Sequence, residues 1–245
     1  MHRIIELARM ASRPDTTLAE AETPDTPVTI SAVPTPEEVP LEVQLVATAR
    51  LPSKYGQLRI VAFSNNRDGK DHVAVIAGDV EGKADVLTRI HSECLTGDVF
   101  GSLKCDCGPQ LERALEEINS LDEGIILYMR QEGRGIGLAN KIRAYSLQDG
   151  GLDTVEANLH LGFDDDMRRY DIAAEMLKLL GVESVVLMTN NPKKLDGLRQ
   201  HGVTVTDRKP IQMDPNPFNA HYLETKREKS GHLLNLGDDA EMSGE

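Results

Sequence analysis

The chain has 245 residues, 40% of them hydrophobic and 27% charged, with a formal net charge of −13. That balance is expected of a soluble globular protein with room for one large or two small domains, and the absence of any run of about eighteen apolar residues excludes a membrane-spanning helix. There is no Trp and no basic stripe with interleaved aromatics, so nucleic acid is disfavoured as a partner.

The first segment, MHRIIELARMASRPD, has an apolar stretch too short and too interrupted by charge for a secretory signal, and a cytoplasmic location is expected. Residues 1–43 carry three arginines against eight acids, and half of the 12 prolines fall between 14 and 40. A segment of that kind cannot bury enough apolar area to offset its chain entropy. It predicts a disordered acidic extension over 1–43, with at most a short helix in RIIELARMA. The acidic end, 236–245, is expected to be disordered as well. With the acids concentrated at both ends, the core is close to neutral, and local grouping of its bases decides what it binds.

From residue 44 onward VQLVATARL, GQLRIVAFS, DHVAVIAGDV and DVLTRIHSE alternate or run apolar with β-branched residues between Gly, Asn and Asp turns, which predicts an antiparallel sheet. Helical spacing begins at PQLERALEEINSL, with Leu111, Ala114, Leu115 and Ile118 on one face. After residue 122 strands and helices alternate: GIILYM, a glycine loop, the helix IGLANKIRAYSLQ, a second helix over DDDMRRYDIAAEMLKLLG, the strand SVVLM, the helix PKKLDGLRQH capped by Asn191, and the strand VTVT. The predicted fold is α/β, with an antiparallel β-rich N-terminal half packed with a βαβ-containing, partly parallel sheet over residues 44–235.

All three cysteines lie within fourteen residues, as Cys94-x10-Cys105-x-Cys107. Three thiolates suit zinc, and three rather than four protein ligands is the count of a site that keeps a position for water or substrate. Three reduced core thiols, or one disulfide and a free thiol, are the plainer readings, and His91 or His160 would make the site structural by closing it. The loop MRQEGRGIGLANK, between a strand and a helix, offers glycines whose amides can face an anion, with Arg130, Arg134, Lys141 and Arg143 around it. TNNPKK repeats that logic with Lys193 and Lys194. The run Asp164–Asp166 suits a helix start on dipole grounds, or a general base or Mg²⁺ ligand beside Arg168 and Arg169.

RIHSECLTGDVFGSLKCDCGPQL, YMRQEGRGIGLANKIRAYSLQD, DTVEANLHLGF and LMTNNPKK together strongly resemble the GTP cyclohydrolase II family, and the likeness runs collinearly from about 44 to 235. The resemblance implies hydrolysis of GTP to formate, pyrophosphate and 2,5-diamino-6-hydroxy-4-(5-phosphoribosylamino)pyrimidine, the first step of riboflavin biosynthesis. It implies zinc on Cys94, Cys105 and Cys107, with zinc-activated water directed at guanine C8, and Mg²⁺ with the triphosphate. By the same likeness GTP is contacted by Arg89, Ile90, His91, Ser92 and Glu93, by Gln110, by Glu132, Gly133 and Arg134, and by Thr154, Thr189 and Lys194. Asp166 matches a proton acceptor and Arg168 an arginine proposed as nucleophile toward the α-phosphorus, for which charge stabilisation is an equally good physical role because a guanidinium stays protonated. Tyr145 matches a tyrosine near the ring-opening site, and a homodimer is expected. Two other outcomes are compatible with these motifs: a GTP-binding regulatory protein with structural zinc, and an enzyme that stops at the formamidopyrimidine. Relatives that carry a fused 3,4-dihydroxy-2-butanone 4-phosphate synthase have it upstream, and 43 residues are too few to encode one.

Overall fold

The computed structural model describes residues 39–235. Apart from residues 39–43, the predicted extension and the whole of the predicted acidic tail lie outside the described residues.

The first three strands alternate between their two faces and pair in sequence order: β1 (Val43–Ser53), β2 (Gly56–Asn65) and β3 (His72–Ala77) are antiparallel neighbours. β3 then pairs antiparallel with β5 (Gly124–Met129), and β5 runs parallel to β4 (Val86–Ser92). β6 (Val185–Met188) and β7 (Val205–Lys209) continue the parallel side. The antiparallel and parallel halves expected from the sequence are therefore two halves of one seven-stranded sheet, ordered β1-β2-β3-β5-β4-β6-β7. β4, read with the antiparallel strands, sits in the parallel half. The helix after it carries the chain back so that β5 enters beside β4 in the same direction, the geometry of a crossover.

Both faces of the sheet centre are covered, which explains why GIILYM reads as an unbroken apolar run. On one face Val61, Phe63, Ile76, Ile90, Leu127 and Leu187 pack against Ile172, Met176 and Leu177 of α5 (Asp171–Leu179) and Leu198 of α6 (Pro192–Gln200). On the other, Leu58, Leu87, Ile126 and Met188 pack against Ala114 and Ile118 of α2 (Cys107–Ser120), with Leu111 and Leu115 half-buried on the same stripe. Each fully buried aliphatic side chain here stabilises the fold by about 1.5–3 kcal/mol. Between these elements lie a single turn α1 (Leu95–Asp98), a 3₁₀ turn over Glu132–Gly135, α3 (Leu138–Asp149), α4 (Thr154–His160) and α7 (Ala220–Glu228).

The helix expected to start at Asp164 starts at Asp171. Asp166 takes its own chain out of the helix: its Oδ1 accepts from the Arg168 backbone N–H at 3.1 Å, a local bond of the kind by which Asp competes with helical geometry. Met167 N–H is meanwhile taken by the Arg134 carbonyl at 3.0 Å. α6 starts as read, with Asn191 Oδ1 accepting from Lys193 N–H at 3.0 Å and Pro192 in the first turn. α4 has a full capping box between Asp153 and Glu156.

Candidate active site

β4, β5 and β6 are parallel, so their carboxyl ends emerge along one edge of the sheet. β5 flanks β4 on one side and β6 on the other, so the chain reverses its direction of travel at β4. Open α/β sheets bind ligands in the crevice such a reversal leaves. A cleft lies there, lined from the end of β4, from the loops after β5 and β6, from the start of α2, and from α3 and α7.

The three cysteines meet at one end of it. Their sulfurs all lie within 4.8 Å of one another, and Cys94 Sγ is 3.7 Å from Cys105 Sγ. A disulfide needs about 2.05 Å, whereas two thiolates on one tetrahedral zinc sit about 3.8 Å apart given bonds of about 2.3 Å. The donor set therefore fits zinc, and all three cysteines are unpaired. Neither histidine considered as a fourth ligand joins them. His91 Nε2 lies 3.0 Å from both carboxylate oxygens of Asp98, and His160 is exposed on α4. Among the described residues the cluster consists of three thiols alone.

The surroundings favour thiolate at Cys94, whereas hydrogen bonding with the neighbouring thiols and burial leave Cys105 and Cys107 raised within the cluster. Hydrogen bonds from the Cys105 and Cys107 thiols, aided by the Lys141 ammonium, pull the Cys94 thiol far below its usual range against the effect of burial. Lys141 Nζ is 3.1 Å from Cys94 Sγ and 2.7 Å from Glu132 Oε1. Glu132 in turn accepts from Leu95 N–H at 2.7 Å, which ties the loop after β5 to the cysteine loop. Asp98 pins the same loop by accepting from Cys94 N–H at 3.0 Å and from the Tyr128 hydroxyl at 2.8 Å. Gly97 leaves room for the sulfurs: a Cβ there would stand 2.8 Å from Cys105 Sγ and 3.1 Å from Cys94 Sγ. Gly97→Ala is expected to lower zinc affinity about ten- to a hundredfold, the range for a misplaced supporting shell, measured as metal retained per chain against a competing chelator.

The rest of the cleft is cationic. Arg89, Lys104, Arg134, Lys141, Arg168, Lys194 and Lys226 line it, against Glu93, Asp106 and Glu132. Lys194 Nζ donates to the Ile90 carbonyl at 2.6 Å, and burial, then Arg168 and Arg89, push its ammonium well below the usual lysine range. Buried positive charges with too few carboxylates are costly on their own and favour a bound polyanion. Arg89 donates to Gln110 Oε1 at 2.6 Å and to the Met188 carbonyl at 3.3 Å, and Gln110 Nε2 donates to Asp106 Oδ2 at 2.6 Å. Arg168 is forked onto Asp166, Nε to Oδ1 at 2.7 Å and Nη2 to Oδ2 at 2.6 Å. Burial works against the Asp166 carboxylate, yet the Arg168 guanidinium outweighs it and brings its pKa down to about 2.

Of the residues picked out from sequence, Arg89, His91, Ser92, Glu93, Gln110, Glu132, Gly133, Arg134, Tyr145, Thr154, Arg168, Thr189 and Lys194 line the cleft with the three cysteines. Ile90 sends its side chain to the opposite core and presents only its carbonyl, to Lys194. Asp166 stands behind Arg168 rather than on the cleft wall. The glycine loop is not the amide cradle its composition suggests. Gly133 N–H is taken by Glu132 Oε1 at 3.0 Å and Gly137 N–H by the Glu132 carbonyl at 2.9 Å. What the glycines allow is the turn itself: Gly135 has φ +98°, and a Cβ there would meet the Met167 backbone at 3.1 Å. Of its expected cations, Arg134 and Lys141 face the cleft, while Arg130 bonds Glu93 and Arg143 bonds Asn140 at the surface. Tyr145 hydroxyl lies 3.3 Å from Thr96 Oγ1, itself 3.7 Å from Cys94 Sγ. Asp106, Tyr222, Lys226 and His232 also line the cleft and were not singled out; α7 carries no apolar stripe to announce it.

The family model described as GTP cyclohydrolase II matches residues 44–210. The chain is 54% identical over 194 residues to GTP cyclohydrolase-2 of Proteus mirabilis, covering 79% of this chain and 98% of that one. It is 55% identical over 192 residues to GTP cyclohydrolase-2 of Picrophilus torridus, covering 78% of this chain and 100% of that one. The riboflavin biosynthesis protein RibBA of Bacillus mycoides is 55% identical over 186 residues, 76% of this chain and 47% of the relative's length.

Proposed function

The chain belongs to the GTP cyclohydrolase II family, and from that premise we propose that it hydrolyses GTP to formate, pyrophosphate and 2,5-diamino-6-hydroxy-4-(5-phosphoribosylamino)pyrimidine, opening riboflavin biosynthesis. The support within the molecule is one juxtaposition: three thiols suited to zinc sit at one end of a cleft whose other walls are cationic. A reacting base at the first end and a triphosphate along the second is the arrangement this reaction needs.

Cys94, Cys105 and Cys107 would hold zinc, which when bound would activate water for hydrolysis at neutral pH. Mg²⁺ would accompany the triphosphate, as a hard cation suited to phosphate oxygens. Lys141 and Glu132 keep the Cys94 sulfur oriented and charged. Burial raises the Tyr145 phenol, so its hydroxyl remains a proton donor, placed one hydroxyl away from Cys94 to orient water or the formyl group. Lys194, Arg134 and Arg89 meet the polyanion and Gln110 aligns Arg89. Arg168 stabilises phosphate charge as pyrophosphate leaves. Its guanidinium is held protonated by Asp166, which leaves no lone pair for attack on phosphorus, and an Asp166 with a pKa of about 2 is a poor base and a good anchor. The enzyme works in the cytoplasm as a homodimer, on the family resemblance.

Formate and the diaminopyrimidine are expected in equal amounts from GTP with Mg²⁺, measured on a sample of known zinc content. A zinc-replete sample that yields no formate overturns the assignment, and a formamidopyrimidine product shows that only the first hydrolysis occurs. A structural zinc would need a fourth protein ligand, and the described residues place none beside the thiols.

A further inference from the structure

The family model matches as far as residue 210, and the cleft draws residues from beyond that point. Tyr222 and Lys226 of α7 and His232 and Leu234 beyond it line the same cavity as the cysteines and the phosphate-facing cations. This segment is latched at several points. Lys226 Nζ donates to Asp106 Oδ1 at 2.7 Å, and Asp106 stands between two of the thiol residues and accepts from Gln110. Ser230 Oγ is 3.1 Å from both Arg134 Nη1 and Asp165 Oδ1. Leu233 N–H donates to the Asn190 carbonyl at 2.8 Å. The segment is therefore bound to the cysteine loop, to the loop after β5 and to the loop after β6, each of which supplies cleft residues.

Within it, His232 is held by its backbone N–H to the Lys226 carbonyl at 3.0 Å, so α7 fixes the main chain that carries the imidazole. His232 Nδ1 is buried and has no hydrogen-bond partner within the protein, although it lies in the wall of a polar cleft. Buried polar atoms are normally paired, and an orphan in a ligand cavity points to a partner that arrives with the ligand. Around it the charges are those of Lys226, Arg134, Arg168 and Lys194, the cations assigned above to the polyanion. They give the imidazole a polyanion's oxygen to donate to.

We propose that residues 219–234 are part of the nucleotide-binding site, with His232 making a direct hydrogen bond to the phosphate-bearing part of a nucleoside triphosphate and Lys226 acting as the positioning residue that holds it there. Lys226 acts on both sides: its backbone carbonyl, which any side chain keeps, sets the His232 backbone, and its ammonium, which Lys226→Met removes, holds Asp106, through which Gln110 and then Arg89 are aligned. This rests on GTP being the substrate. A hydrogen bond to a charged group is worth about 1.5–3 kcal/mol, which is about ten- to a hundredfold in affinity.

His232→Ala and Lys226→Met are each expected to raise the KM for GTP about ten- to a hundredfold, with zinc content per chain unchanged and, for His232→Ala, kcat within about threefold. Lys226→Arg, which can still reach Asp106, is expected to recover most of the loss. Equilibrium dialysis of GTP against the zinc-loaded proteins reads the same effect without turnover, so absence of formate in the unaltered chain would remove the activity while leaving this test open. Unaltered KM and GTP affinity in His232→Ala overturn the proposal while the activity stands. So does a Lys226→Met protein that loses zinc while His232→Ala binds GTP normally, because Lys226 would then serve the metal loop alone.

Discussion

Cys105→Ser is expected to remove zinc and ring opening together, with formate release falling about a thousandfold or more, as loss of several kcal/mol of metal-supplied stabilisation requires. Serine keeps the volume but offers a hard alcohol of high pKa in place of a soft thiolate. Cys94 and Cys107 would be left to hold the ion, and no other His, Cys, Asp or Glu among the described residues stands with them as a replacement. The fold should largely survive, because Cys105 belongs to neither apolar cluster. Metal content and formate measured on one preparation check this, and full activity in the serine variant would contradict the metal role of these thiols.

Arg168→Met should have the second-largest effect, and on two quantities at once. Its side chain and that of Asp166 are 10% and 5% exposed, so removing the guanidinium leaves a buried carboxylate unpaired, at a cost of about 3–5 kcal/mol. Turnover should fall about a hundred- to a thousandfold, the usual consequence of losing a preorganised charge from a reacting phosphate. Adding Asp166→Asn should return most of the stability and none of the turnover, which separates folding from chemistry. Thermal unfolding and formate release on the single and double variants read the two separately. A guanylyl adduct on Arg168 in acid-quenched protein would overturn the electrostatic role. The pair also fixes a pH window. The Asp166 pKa falls from 3.8 to about 2 on folding, so its stabilisation is complete above about pH 4 and disappears as the pH drops toward 2.

The α/β fold was legible because its signals are local. Alternation in GQLRIVAFS, the helical spacing of Leu111, Ala114, Leu115 and Ile118, and Asn191-Pro192 before α6 each follow from a few neighbouring residues. The single sheet was not legible, since the pairing of β3 with β5 joins segments about fifty residues apart. The cysteine cluster was legible from spacing alone, because all three ligands lie on one short stretch. Lys226 and His232 were not, because they reach the cleft only through the placement of α7. The aspartate run misled for a definite reason: Asp166 spends its side chain on Arg168, and α5 begins five residues later. Asp153 and Glu156, by contrast, spelled out a capping box that could have placed α4.

The three thiols lie between the end of β4 and the first residue of α2, whereas the rest of the cleft lining is gathered from strand ends and helices as far along as residue 234. Closing a loop of about a dozen residues costs little entropy compared with assembling those distant parts, and metal capture is itself folding free energy. With zinc on these thiols as proposed, the nascent chain would be able to take up its metal long before it could hold a nucleotide. A protein cut short before α7 would then be a chain able to hold metal but with an unfinished substrate pocket, binding GTP weakly.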